Sequence, residues 1–464
     1  ACGFAALCYA EFAAMIPIAG SAYTYAYASL GEFVAWIIGW DLIIEYAVGN
    51  IGVAIGWSGH FRELISHFGL SLPAWLATDY RTAYDAVKAL AAGATDPNTA
   101  YLASAVTGAP ILFGLPVIAN IPAFLSVMFI TVLLVYGIKE SANSNNAMVV
   151  LKIGIILFFI AVGLTLLKPD NWTNPATGGF APNGLSGIGA GAAIIFFSYI
   201  GFDAVSTAAE EAKDPGKDMP FGIIMSLAIC TVLYIALSAV MTGIAPWQTL
   251  GTAEPMITAL TFADGPPRLL SASRFIISLG AVIAMFSVLL VFQLGQPRIF
   301  MSMSRDGLLP PFLAKVHPKF KTPYVGTILT GIFVGVFAAF ANIAEVVDLT
   351  NIGTLFAFVL VSLGVIVLRY KEPERVRPFR VPFVPWTPMI SIVACLYLMF
   401  KLPTVTWERF GIWLLVGLVI YFLYGVRHSR LRIKDDAGRR GSGEAGKRGS
   451  RPAQYCPTPI WPPG

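Results

Sequence analysis

A few ionisable residues lie inside long apolar runs, and these are the groups that could do chemistry. Lys152 is the only charge in the run Met148–Leu167. Glu45 lies near the middle of the run 31–58, and Asp41 precedes it by one turn on the same helical face. Glu11 lies in the run 1–18, ahead of Pro17 and Gly20. An ionisable group at the centre of a bilayer-spanning helix costs at least ~2.5–3.5 kcal/mol, so each of these needs a reason. Lys152 reads two ways: an amine that snorkels to the interface, or one that gains and loses a proton during a transport cycle. Glu45 could hold a cationic group or carry a proton, or be an acid satisfied by a neighbouring helix; Asp41 offers the same alternatives with a weaker claim. Glu11 is expected to be structural, because it lies shallow, near the cytoplasmic face.

The run 187–208 carries the sequence Phe196-Phe197-Ser198-Tyr199-Ile200-Gly201-Phe202-Asp203 at its middle. Glycine and polar side chains at that depth predict a span that breaks and frees backbone carbonyls and amides for a ligand. Irregular backbone in the bilayer is tolerated only where protein or a cavity surrounds it. The alternative is a continuous helix whose glycine packs against a neighbour.

Other chemistries find no support. The five cysteines show no CxxC spacing, and the four histidines are scattered without an HExxH pattern, so neither a disulfide framework nor a metal site is expected. Gly187-x-Gly189-x-Gly191 mimics a dinucleotide fingerprint but follows a loop rather than a strand. Gly52-xxx-Gly56 and Gly331-xxx-Gly335 are expected to be helix-packing faces.

These residues must be positioned by membrane-spanning elements. Apolar residues are 56% of the 464, charged residues only 12%, and mean hydropathy is +0.72. Soluble domains carry roughly 25% charged residues, so much of this surface faces something other than water. The net charge of +5 calls for no nucleic-acid partner. Runs near the ~20 residues a span requires occur at 1–18, 31–58, 117–138, 146–167, 187–208, 221–244, 270–297, 324–342, 349–368, 386–402 and 409–427. They are continuous rather than alternating, which predicts about eleven transmembrane helices and not a barrel. Pro220 is expected in the first turn of its helix.

Lys and Arg concentrate in the loops 209–220, 298–323 and 369–385 and after the last run, whereas 168–184 and 343–348 are poor in them. The basic loops, and with them the C-terminus, are expected on the cytoplasmic side. An odd number of spans then puts residue 1 outside and within a helix, which predicts a further span upstream. Residues 59–116 are expected as short external helices at the interface. Residues 1–434 read as one transmembrane domain, truncated at its N-terminus, and 435–464 as a disordered or artefactual tail.

Four stretches together resemble a known family: Tyr9–Tyr23 (YAEFAAMIPIAGSAY), Phe197–Pro215 (FSYIGFDAVSTAAEEAKDP), Gly295–Pro310 (GQPRIFMSMSRDGLLP) and Arg377–Pro385 (RPFRVPFVP). They are similar to the cationic amino acid transporter branch of the amino acid–polyamine–organocation superfamily, in its bacterial form. The resemblance implies an all-α, five-plus-five inverted-repeat transporter fold of the LeuT-like kind plus two extra helices, with the first helix missing here. It aligns 187–208 with the broken sixth helix and the 1–18 run with the second.

The resemblance also implies roles. Lys152 falls where proton-coupled members carry a lysine in place of a sodium ion, and Ser287 could face it. Glu45 falls near the substrate site. Phe197 and Phe202 would flank the substrate, backbone groups of Phe197, Ser198, Tyr199, Ile200 and Gly201 would receive its amino group, and Phe292 could line the side-chain pocket. The expectation is a proton-coupled importer of neutral L-amino acids such as alanine, working by alternating access in the plasma or inner membrane. The alternatives are a transporter of arginine, lysine or ornithine, an exchanger and, more distantly, a channel or receptor. No enzymatic activity and no cofactor are expected, the proton being the coupling ion. The partners are the amino acid and the lipid bilayer; the resemblance leaves open a small single-helix accessory subunit.

Overall fold

The computed structural model describes residues 1–15, 21–93, 97–137, 142–173, 179–205, 212–252 and 254–430. Its helices are α1 (Cys2–Met15), α2 (Ser21–Ser29), α3 (Glu32–Ser66), α4 (Tyr80–Ala91), α5 (Pro97–Gly108), α6 (Ile121–Val135), α7 (Ala142–Thr165), α8 (Gly184–Ile195), α9 (Pro215–Ile244), α10 (Pro255–Thr261), α11 (Pro267–Arg305), α12 (Tyr324–Phe340), α13 (Ile343–Lys371), α14 (Trp386–Lys401) and α15 (Thr404–His428). One two-residue hairpin, β1 (Ile111–Leu112) with β2 (Leu115–Pro116), interrupts the all-α pattern. Among the described residues, seven helical segments are long and apolar enough to cross a membrane: α3, the 146–165 part of α7, 184–205, α9, α11, α13 and α15. Helices α1, α6, α12 and α14 are apolar but shorter.

Burial separates these helices into a centre and a shell. In their most apolar windows, α3 is 89% buried and α13 67%, against 17–22% for α7, the 184–205 segment, α9 and α15. The shell helices turn Leu, Ile, Val and Phe outward, which a chain in water would hide and a chain in a bilayer need not. Helix α3 packs against α11 and α13, α6 against α12, and α1 against α9 and α13.

Small residues permit close approach along these seams. A Cβ at Gly331 would collide with Thr131 of α6, and one at Gly417 with the ring of Trp40. The Trp40 indole also donates to the Trp413 carbonyl at 2.8 Å. Inside the bundle, the Asn50 amide donates to Gln293 Oε1 (2.8 Å), and Gln293 Nε2 donates to Thr131 Oγ1 (3.2 Å), joining α3, α11 and α6 by buried polar contacts.

Several boundaries differ from expectation. Helix α3 continues to Ser66 and α11 to Arg305, because polar residues extend a helix once its apolar stretch is packed. Pro220 lies inside α9; Pro215 takes the first helical position, and the polar turn Gly216–Asp218 precedes the apolar run. Helix α2 was not among the apolar runs, since its Ser, Thr and Tyr content lowers its hydropathy. The stretch expected to be external forms α4, α5 and the hairpin, with α4 capped by Asp79 through Thr82 N (2.9 Å). Pro17, Gly20, the residues 206–211 of the second family stretch, and the 435–464 tail lie outside the described residues.

Candidate functional site

The 184–205 segment leaves the helical path at its middle. Helix α8 ends at Ile195, Phe196–Tyr199 form one tight 3₁₀ turn, Ile200 is extended (φ −63°, ψ 132°), and Gly201 takes φ +118°. Only glycine adopts that last conformation without strain. The backbone groups freed by the break find partners. Asn351 Nδ2 on α13 donates to the carbonyls of Ala193 (2.9 Å) and Ile194 (3.1 Å), and the Tyr234 hydroxyl on α9 donates to that of Ser198 (2.7 Å). The carbonyls of Phe197 and Gly201 accept from Ile200 N and Ala204 N, and Gly201 N donates to Asp203 Oδ1 at 3.2 Å. Three carbonyls of the 197–201 turn are therefore already engaged.

A set of acids faces this break. Glu45 sits in a π-helical turn, Ile44–Val48, inside α3, and such turns are frequent at functional sites. Its carboxyl lies against the Asp203 carboxyl and the Thr354 hydroxyl of α13. Asp41 is one turn away, beside Gly353, whose missing Cβ would stand 3.1 Å from Asp41 Oδ1. Asp41, Glu45, Asp203 and Thr354 are at most 1% exposed. No oxygen of Asp41 or Glu45, nor Thr354 Oγ1, is engaged in a well-formed hydrogen bond. The Tyr9 hydroxyl of α1 is buried among these acids and is likewise unengaged. Among the described residues, no group of His, Cys, Asp and Glu has the arrangement of a metal site.

Aromatic rings line the same region. Phe202 meets Tyr9 edge-on (centroids 5.9 Å) and tilts against Phe358 (5.1 Å), and Phe196 meets Phe358 edge-on (5.6 Å). The Phe197 ring lies over Gly52 of α3, so this glycine makes room for a ring, while Gly56 faces Met285 of α11. Phe292 meets Tyr46, the residue after Glu45, at 5.8 Å. Ser198 points its side chain outward, and Tyr199 packs edge-on to Tyr234 (5.2 Å).

The structure thus brings Glu45, Phe197, Gly201, Phe202 and Phe292 to one region. Lys152 is half-buried on α7, a helix that packs along α9 and α11. Ser287 is buried on α11 and donates to the Ala284 carbonyl of its own helix (3.1 Å). Sequence reasoning assigned no role to Asp203, Asn351, Thr354 or Tyr9. A signal for two of them was present: Thr350-Asn351-Ile352-Gly353-Thr354 is a polar interruption of an apolar run. A crevice of about 1240 Å³ between α1, α8, α9 and α14 touches Phe196 and Tyr199 but none of the acids, and its lining is almost wholly apolar.

Charged clusters close both ends of the bundle. Glu11, buried in α1, accepts from Arg369 Nε (3.0 Å) and Nη2 (2.7 Å) and from Val381 N (2.7 Å), and Arg377 Nε lies 3.3 Å away. At the other end, Arg62 pairs with Glu254 at 2.6 Å, Arg274 with Glu63 at 3.1 Å, and Glu345 with both Arg81 and Arg409.

Comparison with known proteins matches residues 1–423 to the family model described as amino acid permease. The methylthioribose transporter of Bacillus subtilis (strain 168) is 46% identical over 93% of this chain and 85% of its own length. The branched-chain amino acid permease BcaP of the same organism is 47% identical over 93% of this chain and 84% of its own. The vacuolar cationic amino acid transporter 4 of Arabidopsis thaliana is 37% identical over 81% of this chain and 57% of its own.

Proposed function

Because the chain belongs to the amino acid permease family, a family of membrane transporters and not of enzymes, we propose that this secondary transporter of amino acids imports neutral L-amino acids with apolar side chains by proton-coupled symport. One observation carries the reading. A helix broken at its middle meets the buried carboxyls of Asp41 and Glu45, whose oxygens have no well-formed donor, beside a set of aromatic rings. Intramembrane acids of this kind mark substrate and ion pathways.

Coupling requires that substrate and proton both favour the same state of the bundle. In this reading Glu45 and Asp203 hold a proton or the substrate's ammonium group between them, Phe197 and Phe202 close on its side chain, and Phe292 bounds the pocket. Lys152, with Ser287 on the neighbouring helix, links protonation to closure. All eleven apolar helices cross the membrane as eleven of the twelve helices of a fold of five-plus-five inverted repeats with two more, and the basic loops lie in the cytoplasm. The aromatic rings support an apolar side chain, in keeping with the branched-chain substrates in the name of one relative. Four stretches resemble the cationic branch, but the two bacterial relatives above are named for other substrates, so the family and not the branch is what the comparisons support.

A second reading has its own support. The unengaged carboxyls of Asp41 and Glu45 could pair with a cationic side chain, and one plant relative is named for cationic amino acids. The test is uptake of radiolabelled L-alanine, L-leucine and L-arginine into liposomes bearing the full protein, with and without an inward proton gradient. Saturable leucine or alanine uptake that collapses with the gradient supports the proposal; arginine uptake supports the second reading. The Lys152→Ala variant is expected to lose gradient-driven uptake and keep exchange. Gradient-driven uptake equal to wild type would remove Lys152 from the mechanism.

A further inference from the structure

The break in the 184–205 segment has a support on a different helix. Asn351 lies in the middle of α13, and its side chain is fully buried. Both N–H bonds of its amide nitrogen are used, one on the Ala193 carbonyl and one on that of Ile194. These are carbonyls of the last turn of α8, where a helix runs short of intrahelical donors, although that of Ile194 also takes the Phe196 N–H. Within a bilayer no water replaces them. The amide orientation is fixed by this pairing, since the reverse would set Oδ1 against two carbonyl oxygens.

The same face of α13 reaches the rest of the site. Thr354, one turn on, lies against Glu45; Phe358, two turns on, meets Phe196 and Phe202. We propose that Asn351 is a positioning residue: its forked hydrogen bond holds the end of α8 so that Phe197–Asp203 stand opposite Glu45. The inference rests on the reading of this region as the substrate site, and it adds a residue that touches neither substrate nor proton. It predicts a requirement for a donor at position 351, not for bulk or polarity alone.

The experiment uses the full protein in lipid nanodiscs, as wild type, Asn351→Leu and Asn351→Asp. Two measurements are made at about pH 7.5 and at about pH 5: equilibrium binding of radiolabelled L-leucine, L-alanine and L-arginine, and hydrogen–deuterium exchange of the peptide covering 190–205. Leu keeps the volume and removes both donors. Asp keeps the shape; ionised, it opposes the carbonyls, and as a neutral acid it regains one O–H donor.

At the higher pH both variants should bind the wild-type substrate about tenfold more weakly, the scale of one or two buried hydrogen bonds. Exchange across 190–205 should be faster than in wild type. At the lower pH the Asp variant, compared with wild type at the same pH, should recover in both measurements and the Leu variant in neither. Exchange and binding equal to wild type in both variants overturn the proposal, and so does a loss in both with no recovery of the Asp variant. If the wild type binds none of the three amino acids, the functional reading fails while the exchange data still decide the role of Asn351.

Discussion

Glu11 offers a quantitative test of how the bundle is closed. Replacing it with Ala removes the acceptor of three hydrogen bonds and the counter-charge of Arg377. The losses differ in weight. The side chain of Arg369 is 23% exposed and can turn to water, so its share is small, of the order of the ~0–1 kcal/mol of a surface pair. The side chain of Arg377 is 1% exposed and cannot. Its Nη1 and Nη2 groups remain bonded to the carbonyls of Leu368, Glu372, Pro373 and Arg375, whereas Nε, which has no well-formed hydrogen bond, loses the Glu11 carboxylate 3.3 Å away, so what is lost is chiefly charge compensation.

Removing one partner of a buried pair costs ~3–5 kcal/mol. The orphaned Val381 N–H adds ~1–3 kcal/mol if no water reaches it. A total of at least ~3 kcal/mol, set against the unfolding entropy of a chain this long, corresponds to a fall of roughly 3 °C in melting midpoint. The assay is thermal unfolding in one detergent, followed by fluorescence-detected gel filtration. Glu11→Gln, which keeps an acceptor for Val381 N and loses the charge, should fall between wild type and Glu11→Ala. The double variant Glu11→Leu/Arg377→Met should be more stable than Glu11→Leu alone, since it leaves no buried charge. A midpoint for Glu11→Ala within 1 °C of wild type would falsify the reasoning, and so would strictly additive losses in the double variant.

Two further predictions address the site and the loop that carries Glu254. A Cβ at Gly52 would stand 3.2 Å from Phe197 Cζ and 3.3 Å from Val346 Cγ1, so Gly52→Leu should displace the Phe197 ring and abolish uptake at normal expression. Gly154→Ala, with nothing within 4 Å, is the control and should be neutral or stabilising by up to ~1 kcal/mol; equal uptake by both variants would show that the ring position is immaterial. At Glu254, burial outweighs the attraction of Arg62 and raises the carboxyl pKa above its ordinary 4.5. A raised value means that the folded chain holds this proton more tightly than the unfolded one. The stability it contributes is complete below about 4.5 and is lost as pH rises through the folded value. Glu254→Gln should flatten that part of the melting-temperature profile, and an unchanged slope would refute the assignment.

Much of this was legible in the sequence because bilayer helices advertise themselves. Uninterrupted apolar runs marked the helices, and glycine with polar residues at mid-run marked where the backbone turns at Gly201. Glu45 and Glu11 were visible because a charge in an apolar run demands an explanation. What stayed hidden depends on pairing between distant helices. The role of Asp203 requires that the broken segment face the π turn of α3, 158 residues away in sequence, and no local pattern encodes that. Asn351 looked like one more polar residue in a run, because the carbonyls it serves exist only once α8 has ended. The π turn itself has no composition of its own; Ile44–Val48 reads as ordinary helix.

The distribution of satisfied and unsatisfied groups bears on how a substrate would be held. The resemblance assigns the substrate's ammonium group to carbonyls of the turn 197–201. Three of those carbonyls already accept hydrogen bonds, from Ile200 N, Tyr234 and Ala204 N. The buried carboxyls of Asp41 and Glu45 accept none that is well formed. In a buried region, an idle carboxyl is far more costly than an idle carbonyl, and a cation that meets it gains correspondingly more. In the proposed mechanism the ammonium group therefore goes to the acids of α3, and the broken turn serves mainly to bring its rings and Asp203 to them. A proton on the same acids then competes with the ammonium group for one set of oxygens. Substrate and proton would exclude each other there unless they occupy different carboxyls, and the spacing of Asp41 one turn before the Glu45–Asp203 pair provides that separation.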